Sequence, residues 1–149
     1  MKWITRARPK TDRIACPWLI KRFIDPEASF YYVSPEEVLS TADELRGISF
    51  DAPDAHYNHR DDRCTFEVLI QEFGLTEDLG LVRLAKIVHA ADIAGETATD
   101  PLGPGLLAIG LGGLKTVADD YQLLDRATFV YDALYEWCRS DGLSEKVMS

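Results

Sequence analysis

Cysteine is scarce in this sequence, and its copies are far apart. Cys16, Cys64 and Cys138 are an odd number with no close pair, so neither a disulfide framework nor a zinc site built on paired cysteines is encoded. A reducing cytoplasm is the compartment this usage predicts. Long apolar runs are missing too. No stretch of 18 apolar residues occurs, which leaves no candidate transmembrane helix and no expected membrane partner. The start, Met1 to Arg6, has no long apolar segment and no cleavage site, so it does not read as a secretory signal. A His-Glu-x-x-His motif is absent. The glycine-rich stretch Gly110-Leu-Gly-Gly-Leu-Lys115 lacks the glycine that precedes the lysine of a Walker-type loop, and no strand is expected before it; its glycines read as close helix packing. Positive charge is also in short supply. There are 16 Lys and Arg against 25 Asp and Glu, a net charge of −9. A dedicated nucleic-acid surface needs a basic face, so nucleic acid is not an expected partner of this chain alone.

What basic charge there is lies at one end. Residues 1–24 hold seven of the 16 basic residues and one acid, Asp12. The 149 residues are 46% hydrophobic and 28% charged, which fits one globular domain over 1–149. A cationic pole on an acidic protein points to an anion, because arginine presents a rigid fork of donors that matches an oxyanion. Lys2, Lys10, Lys21 and Arg22 read as solvated surface charges. Arg6 and Arg13 are different: one closes a predicted strand and the other opens a predicted helix. Both can face a crevice at the strand's carboxyl end, where ligands bind in open α/β sheets.

The chain reads in order as follows. Trp3 to Arg6 is β-branched and aromatic, a strand. Residues 8–12 form a turn, with Thr11 or Asp12 able to cap a helix. Ile14, Trp18, Leu19, Phe23 and Ile24 follow at helical spacing. Pro17 must sit in the first turn or kink that helix, so Arg13 to Cys16 is expected as an irregular lead-in with exposed backbone N–H groups. Phe30 to Val33 reads as a second strand. Ser34-Pro35-Glu36-Glu37 opens a helix that Gly47 ends. Ile48 to Asp51 reads as a third strand, and the alternation implies a parallel sheet. Residues 52–63 are polar and irregular. From Thr65 the pattern is helical: one helix stopped by Gly74, a second capped by Thr76 and running to about Ile93, a short one from Leu106 to Leu114, and a last one striped by Val117, Tyr121, Leu124, Thr128, Tyr131, Tyr135 and Cys138. The tail after Arg139 is expected to fray. The fold class is therefore α/β, with a small parallel sheet of about three strands in the N-terminal third and a largely helical C-terminal half.

Two kinds of chemistry can be drawn from these residues. Arg6, Arg13, Cys16 and His59 are the candidate oxyanion ligands. Cys16 lies three residues from Arg13, and a helix start with a nearby guanidinium favours a thiolate; the competing reading is a small buried residue before Pro17. Cys138, on the apolar stripe, reads as core. For a metal, His89 and Asp92 project from one face of a predicted helix, and with His59 and Glu67 they make a mixed nitrogen and oxygen set suited to zinc, manganese or iron. Against this stands a structural hydrogen-bonded pair of His89 and Asp92. His56 reads as a loop residue at the surface.

Several of these segments resemble a known family. Trp3 to Arg6, Arg8-Pro9-Lys10-Thr11-Asp12-Arg13-Ile14-Ala15-Cys16-Pro17-Trp18-Leu19-Ile20 and Phe23-Ile24-Asp25-Pro26 are similar to the start of the C-terminal domain of the chromate-resistance ChrB family. His59-Arg60, Cys64-Thr65-Phe66, His89-Ala-Ala-Asp92 and Val130 to Tyr135 fit the same domain. The family's longer members are linked to chromate-responsive regulation of resistance genes, and others are fused to rhodanese-like sulfurtransferase domains. The resemblance implies a ligand-sensing or detoxification module. A separate regulator or sulfurtransferase chain is then an expected protein partner, and a pure interaction module is the competing class alongside a metal-dependent enzyme.

Overall fold

Trp3, Ile4 and Thr5 are all buried, which makes their strand the centre of a sheet and not its edge. The computed structural model, which describes residues 1–8 and 11–140, shows why. Strand β1 (Lys2–Arg6) pairs in parallel with β2 (Ser29–Val33), from Lys2 opposite Ser29 to Arg6 opposite Val33. On its other side it pairs in parallel with β3 (Ile48–Ser49), so the order is β2-β1-β3. Successive side chains on a strand face opposite ways. Trp3 joins the large core with Phe30 and Phe50. Ile4 packs on the other face against Val38 and Ala42 of α2 (Val38–Leu45). The turn through Pro9 and Lys10 and the tail beyond Ser140 lie outside the described residues.

The third strand is shorter than expected. Its pairing with β1 ends at Ser49; the Phe50 N–H still donates to the Ile4 carbonyl at 3.0 Å, but Asp51 takes φ 48°. That left-handed backbone cannot continue a strand. The lead-in to the first helix is also more regular than expected. Helix α1 (Asp12–Leu19) starts directly after Thr11, whose carbonyl accepts the Ala15 N–H at 2.9 Å. Thr11 occupies the cap position, yet its hydroxyl makes no cap bond. Pro17 lies past the first turn. Having no N–H, it leaves the Arg13 carbonyl without its helical donor, and the Tyr32 hydroxyl donates there instead, at 3.4 Å. Three residues on, the helix widens into a π turn over Ile20–Ile24.

Gly47 does not end α2 by taking a left-handed conformation. Arg46 does that, with φ 54°. Gly47 is required for a different reason: a Cβ there would lie 2.4 Å from Ile4 Cδ1 and 2.7 Å from the Lys2 carbonyl oxygen. The backbone of β1 cannot retreat without losing its ladder. Gly47→Ala is therefore expected to destabilise the protein by about 1–3 kcal/mol, the usual cost of overpacking. Urea unfolding checks it, and an unchanged midpoint would show that the sheet yields at this point.

The remaining helices are α3 (Thr65–Glu72), α4 (Leu79–Asp92), α5 (Gly103–Thr116) and α6 (Asp120–Arg139). Gly74, at φ 67°, follows α3 as expected. The cap of α4 is Asp78 and not Thr76: Asp78 Oδ1 accepts the Leu81 N–H at 3.1 Å, while Oδ2 takes the Tyr135 hydroxyl at 2.7 Å. Helix α5 begins earlier than the apolar pattern indicates, with a proline in its first turn. Gly110 is buried within it, whereas Gly112 faces open space, so close packing explains only part of the glycine run. Val117 is not on the last helix but in the junction before it, and Tyr121 is largely exposed. Leu123, Tyr131, Tyr135 and Cys138 form the buried face of α6. Among the described residues, no helix is long and apolar enough to cross a membrane.

Candidate functional site

In a parallel sheet all strand ends of one kind lie along one edge. Arg6 closes β1, Arg13 lies in the first turn of α1, and Asp51 follows β3. The three meet at the carboxyl edge, around a carboxylate that is 4% exposed. Asp51 Oδ2 lies 3.7 Å from both Arg6 Nη2 and Arg13 Nε. Arg6 Nε also donates to the Asp51 carbonyl at 3.0 Å. Asp51 Oδ1 accepts the Thr65 hydroxyl at 2.9 Å and lies 3.3 Å from His59 Nε2. The same His59 nitrogen is 3.2 Å from Asp92 Oδ2, at the end of α4. Of the candidate oxyanion ligands Arg6, Arg13, Cys16 and His59, the structure brings Arg6, Arg13 and His59 together on Asp51 and buries Cys16 in the core.

Burial alone would push the Asp51 carboxyl up. The hydrogen bonds from His59 and Thr65, and the charges of His59 and Arg13, outweigh it and hold the group below the ordinary carboxylate value. Asp51 itself has a left-handed φ of 48°, a conformation that aspartate tolerates better than most residues.

A second cluster sits where α3 meets α4. Cys64 is the N-cap of α3 and is fully buried. Its sulfur takes the Glu67 N–H while the Glu67 side chain reaches back, Oε1 accepting the Cys64 N–H at 3.0 Å. This is a capping box in which a thiol stands where serine is usual. Glu67 Oε1 is also 2.6 Å from His89 Nδ1, and His89 Nε2 makes a very short contact with Glu96 Oε2. Burial would lower the His89 pKa; the flanking carboxylates of Glu67 and Glu96 reverse that and raise it. Ligand-type atoms of Cys64, Glu67 and His89 all lie within 4.8 Å of one another.

The expected metal set of His59, Glu67, His89 and Asp92 is thus divided between two clusters. His59 and Asp92 belong with Asp51; Glu67 and His89 belong with Cys64 and Glu96. His89 and Asp92 do not form the pair that was the structural alternative, since the histidine ring is held by Glu67 and Glu96. Cys16 is 0% exposed, a core residue and not a surface thiol. Cys138 is core as expected, and burial pushes its thiol up to about 11. His56 is exposed and stacks edge-on against Tyr57. A groove of about 1100 Å³ lies between α1, the π turn, β2 and α6 and shares no lining residue with either cluster.

Asp51, Thr65 and Glu96 were missed in the sequence. Asp51 had a usable signal, an acid directly after a predicted parallel strand. Cys64, which beside Arg63 reads as a weaker candidate thiolate than Cys16, also has the capping-box spacing Cys64-Thr-Phe-Glu67. Glu96 lies in a loop of glycine and proline with no pattern to mark it.

A family model described as "ChrB, C-terminal domain" matches residues 3–138 of the chain. Protein ChrB of Cupriavidus metallidurans is 40% identical over 134 residues, which are 90% of this chain and 40% of that protein. The chain therefore spans well under half of that relative's length. No solved structure matches the chain.

Proposed function

The chain belongs to the ChrB C-terminal domain family, and from that premise we propose that it is a chromate-resistance module that binds or senses a small oxyanion of the chromate or sulfate type. The observation that carries this reading is the convergence of Arg6, Arg13 and His59 at the carboxyl edge of the sheet. Asp51 touches all three: it takes the Arg6 Nε–H on its carbonyl at 3.0 Å, lies 3.3 Å from His59 Nε2 and draws both guanidinium groups toward its carboxylate. Arg6 Nη2 and Arg13 Nε are both 3.7 Å from its carboxylate, beyond hydrogen-bond length. A tetrahedral dianion arriving from solvent meets the exposed side of His59 and the third-exposed Arg6 first. With His59 protonated, three cationic groups face two carboxylates, Asp51 and Asp92.

Calorimetric titration with chromate and with sulfate tests the reading. Arg13→Lys keeps the charge and loses the fork, so its affinity should fall about tenfold or more, as a lost charge-assisted contact of roughly 1.5–3 kcal/mol requires. Arg6→Ala should fall at least as far. Equal, weak binding by the wild type and both variants would mean that the arginines serve only to hold Asp51.

A further inference from the structure

The geometry points to a divalent transition-metal site of the zinc type at the α3–α4 junction, with Cys64 Sγ, a Glu67 carboxylate oxygen and His89 Nδ1 as ligands and Glu96 as the carboxylate that orients the histidine. It uses none of Arg6, Arg13 and His59 and stands apart from the anion reading.

Four features support it. The three donors are a thiol, a carboxylate and an imidazole, within 4.8 Å of one another, and that mixed soft and intermediate set suits zinc-like ions better than magnesium or calcium. Their elements are rigid: Cys64 and Glu67 are tied into one capping box, and His89 lies in the last turn of a 14-residue helix. The Glu67 N–H at the start of α3 is already turned to the Cys64 sulfur, a donor for the thiolate that a metal requires. The fourth feature is the arrangement around His89. Glu67 Oε1 lies against Nδ1, and Glu96 Oε2 lies against Nε2 on the far side of the ring. A neutral imidazole has one N–H and one lone pair. If Nε2–H donates to Glu96, the Nδ1 lone pair points toward Glu67 and Cys64, where a cation would be shared by all three. A metal-bound histidine commonly gives its other N–H to a carboxylate in this way. Cys64 is fully buried, while the His89 and Glu67 side chains are 17% and 25% exposed, so one side is left for a water or an exogenous ligand as the fourth partner.

The test uses the whole chain, stripped with chelator and titrated with Co(II) and then Zn(II). Cobalt should bind at one equivalent, with the intense visible bands of a four-coordinate ion and a thiolate-to-cobalt charge-transfer band in the near ultraviolet, and zinc should abolish both. Cys64→Ser should lose the charge-transfer band. His89→Gln should weaken binding at least about tenfold, and Glu96→Gln by about 10–100-fold without changing the spectrum, as loss of an outer carboxylate does. Asp92→Asn, outside the ligand set, should leave the titration unchanged. Far-ultraviolet circular dichroism identifies any variant that has not folded, and the wild-type spectrum decides without one. No stoichiometric cobalt, no thiolate band in the wild type, a band that persists in folded Cys64→Ser, or loss of binding in Asp92→Asn would each overturn the site.

Discussion

Asp51→Ala should unfold roughly 10 °C below the wild type, from a loss of about 3–5 kcal/mol. Asp51 is the one carboxylate shared by Arg6, Arg13, His59 and Thr65. Removing it takes away the carboxylate that lies 3.7 Å from both guanidinium groups, of which Arg13 is only 17% exposed. Breaking a buried pair on one side costs far more than the pair contributes, because the surviving charge remains desolvated. The effect also has a pH signature. Asp51 is held below its ordinary value, so its contribution is fully present above the unfolded carboxylate pKa of about 3.9. It is lost as pH falls through the lower folded value. Wild-type stability should therefore drop steeply with acid in that range, and Asp51→Ala should drop less. Melting curves from neutral pH downward measure both. A variant within about 1 kcal/mol of wild type, with a parallel pH profile, would mean that the cluster adds nothing to the fold.

Arg8→Ala should cost about 2–4 kcal/mol, a large effect for a residue that is 41% exposed. Its guanidinium Nη1 donates to the Ala118 carbonyl at 2.5 Å and to Asp120 Oδ1 at 2.8 Å. Its Nη2 donates to the carbonyls of Leu114 at 2.7 Å and Val117 at 3.0 Å. Its backbone N–H meets Asp120 Oδ2 at 3.0 Å. The carbonyls at the end of α5 have no helical donor, so Arg8 closes that helix and pins the start of α6 with one side chain. Both ends of this connection are far apart in sequence, and the chain just after β1 is thereby tied to the helical half. Hydrogen exchange should show amides at the α5–α6 junction opening first in Arg8→Ala. Arg8→Lys should recover only part of the loss, since an ammonium cannot span four acceptors in one plane. Full stability in Arg8→Ala, with unchanged exchange at residues 114–121, would show that solvent replaces every one of these bonds.

Much of this fold is set by local pattern. The β-branched and aromatic run Trp3 to Thr5, the apolar spacing of α3, α4 and α6, and the left-handed Gly74 all report their backbone state through propensity and period. The position of Arg6 and Arg13 follows as well, because a parallel strand followed by a helix sends both to the same sheet edge. The family itself was legible, since the motif from Trp3 to Ile24 carries it without any structure.

What tertiary structure decided was pairing. Period alone places His89 and Asp92 on one helical face, but it cannot say what faces them. The packing of α3 beside α4 gives His89 to Glu67 and Glu96, and the loop after Asp51 carries His59 to Asp92. One expected ligand set thereby became two clusters. Cys16 has the sequence neighbours of a reactive thiol, yet Pro17 did not delay the helix, and a regular turn from Asp12 rotated the sulfur into the core. Gly47 reads as a helix terminator locally and is instead the contact point of α2 on β1, a constraint set by a strand 43 residues earlier. Local propensity is a property of a few neighbouring residues; the partner of a charge or the neighbour of a missing Cβ depends on which distant segment the core brings alongside.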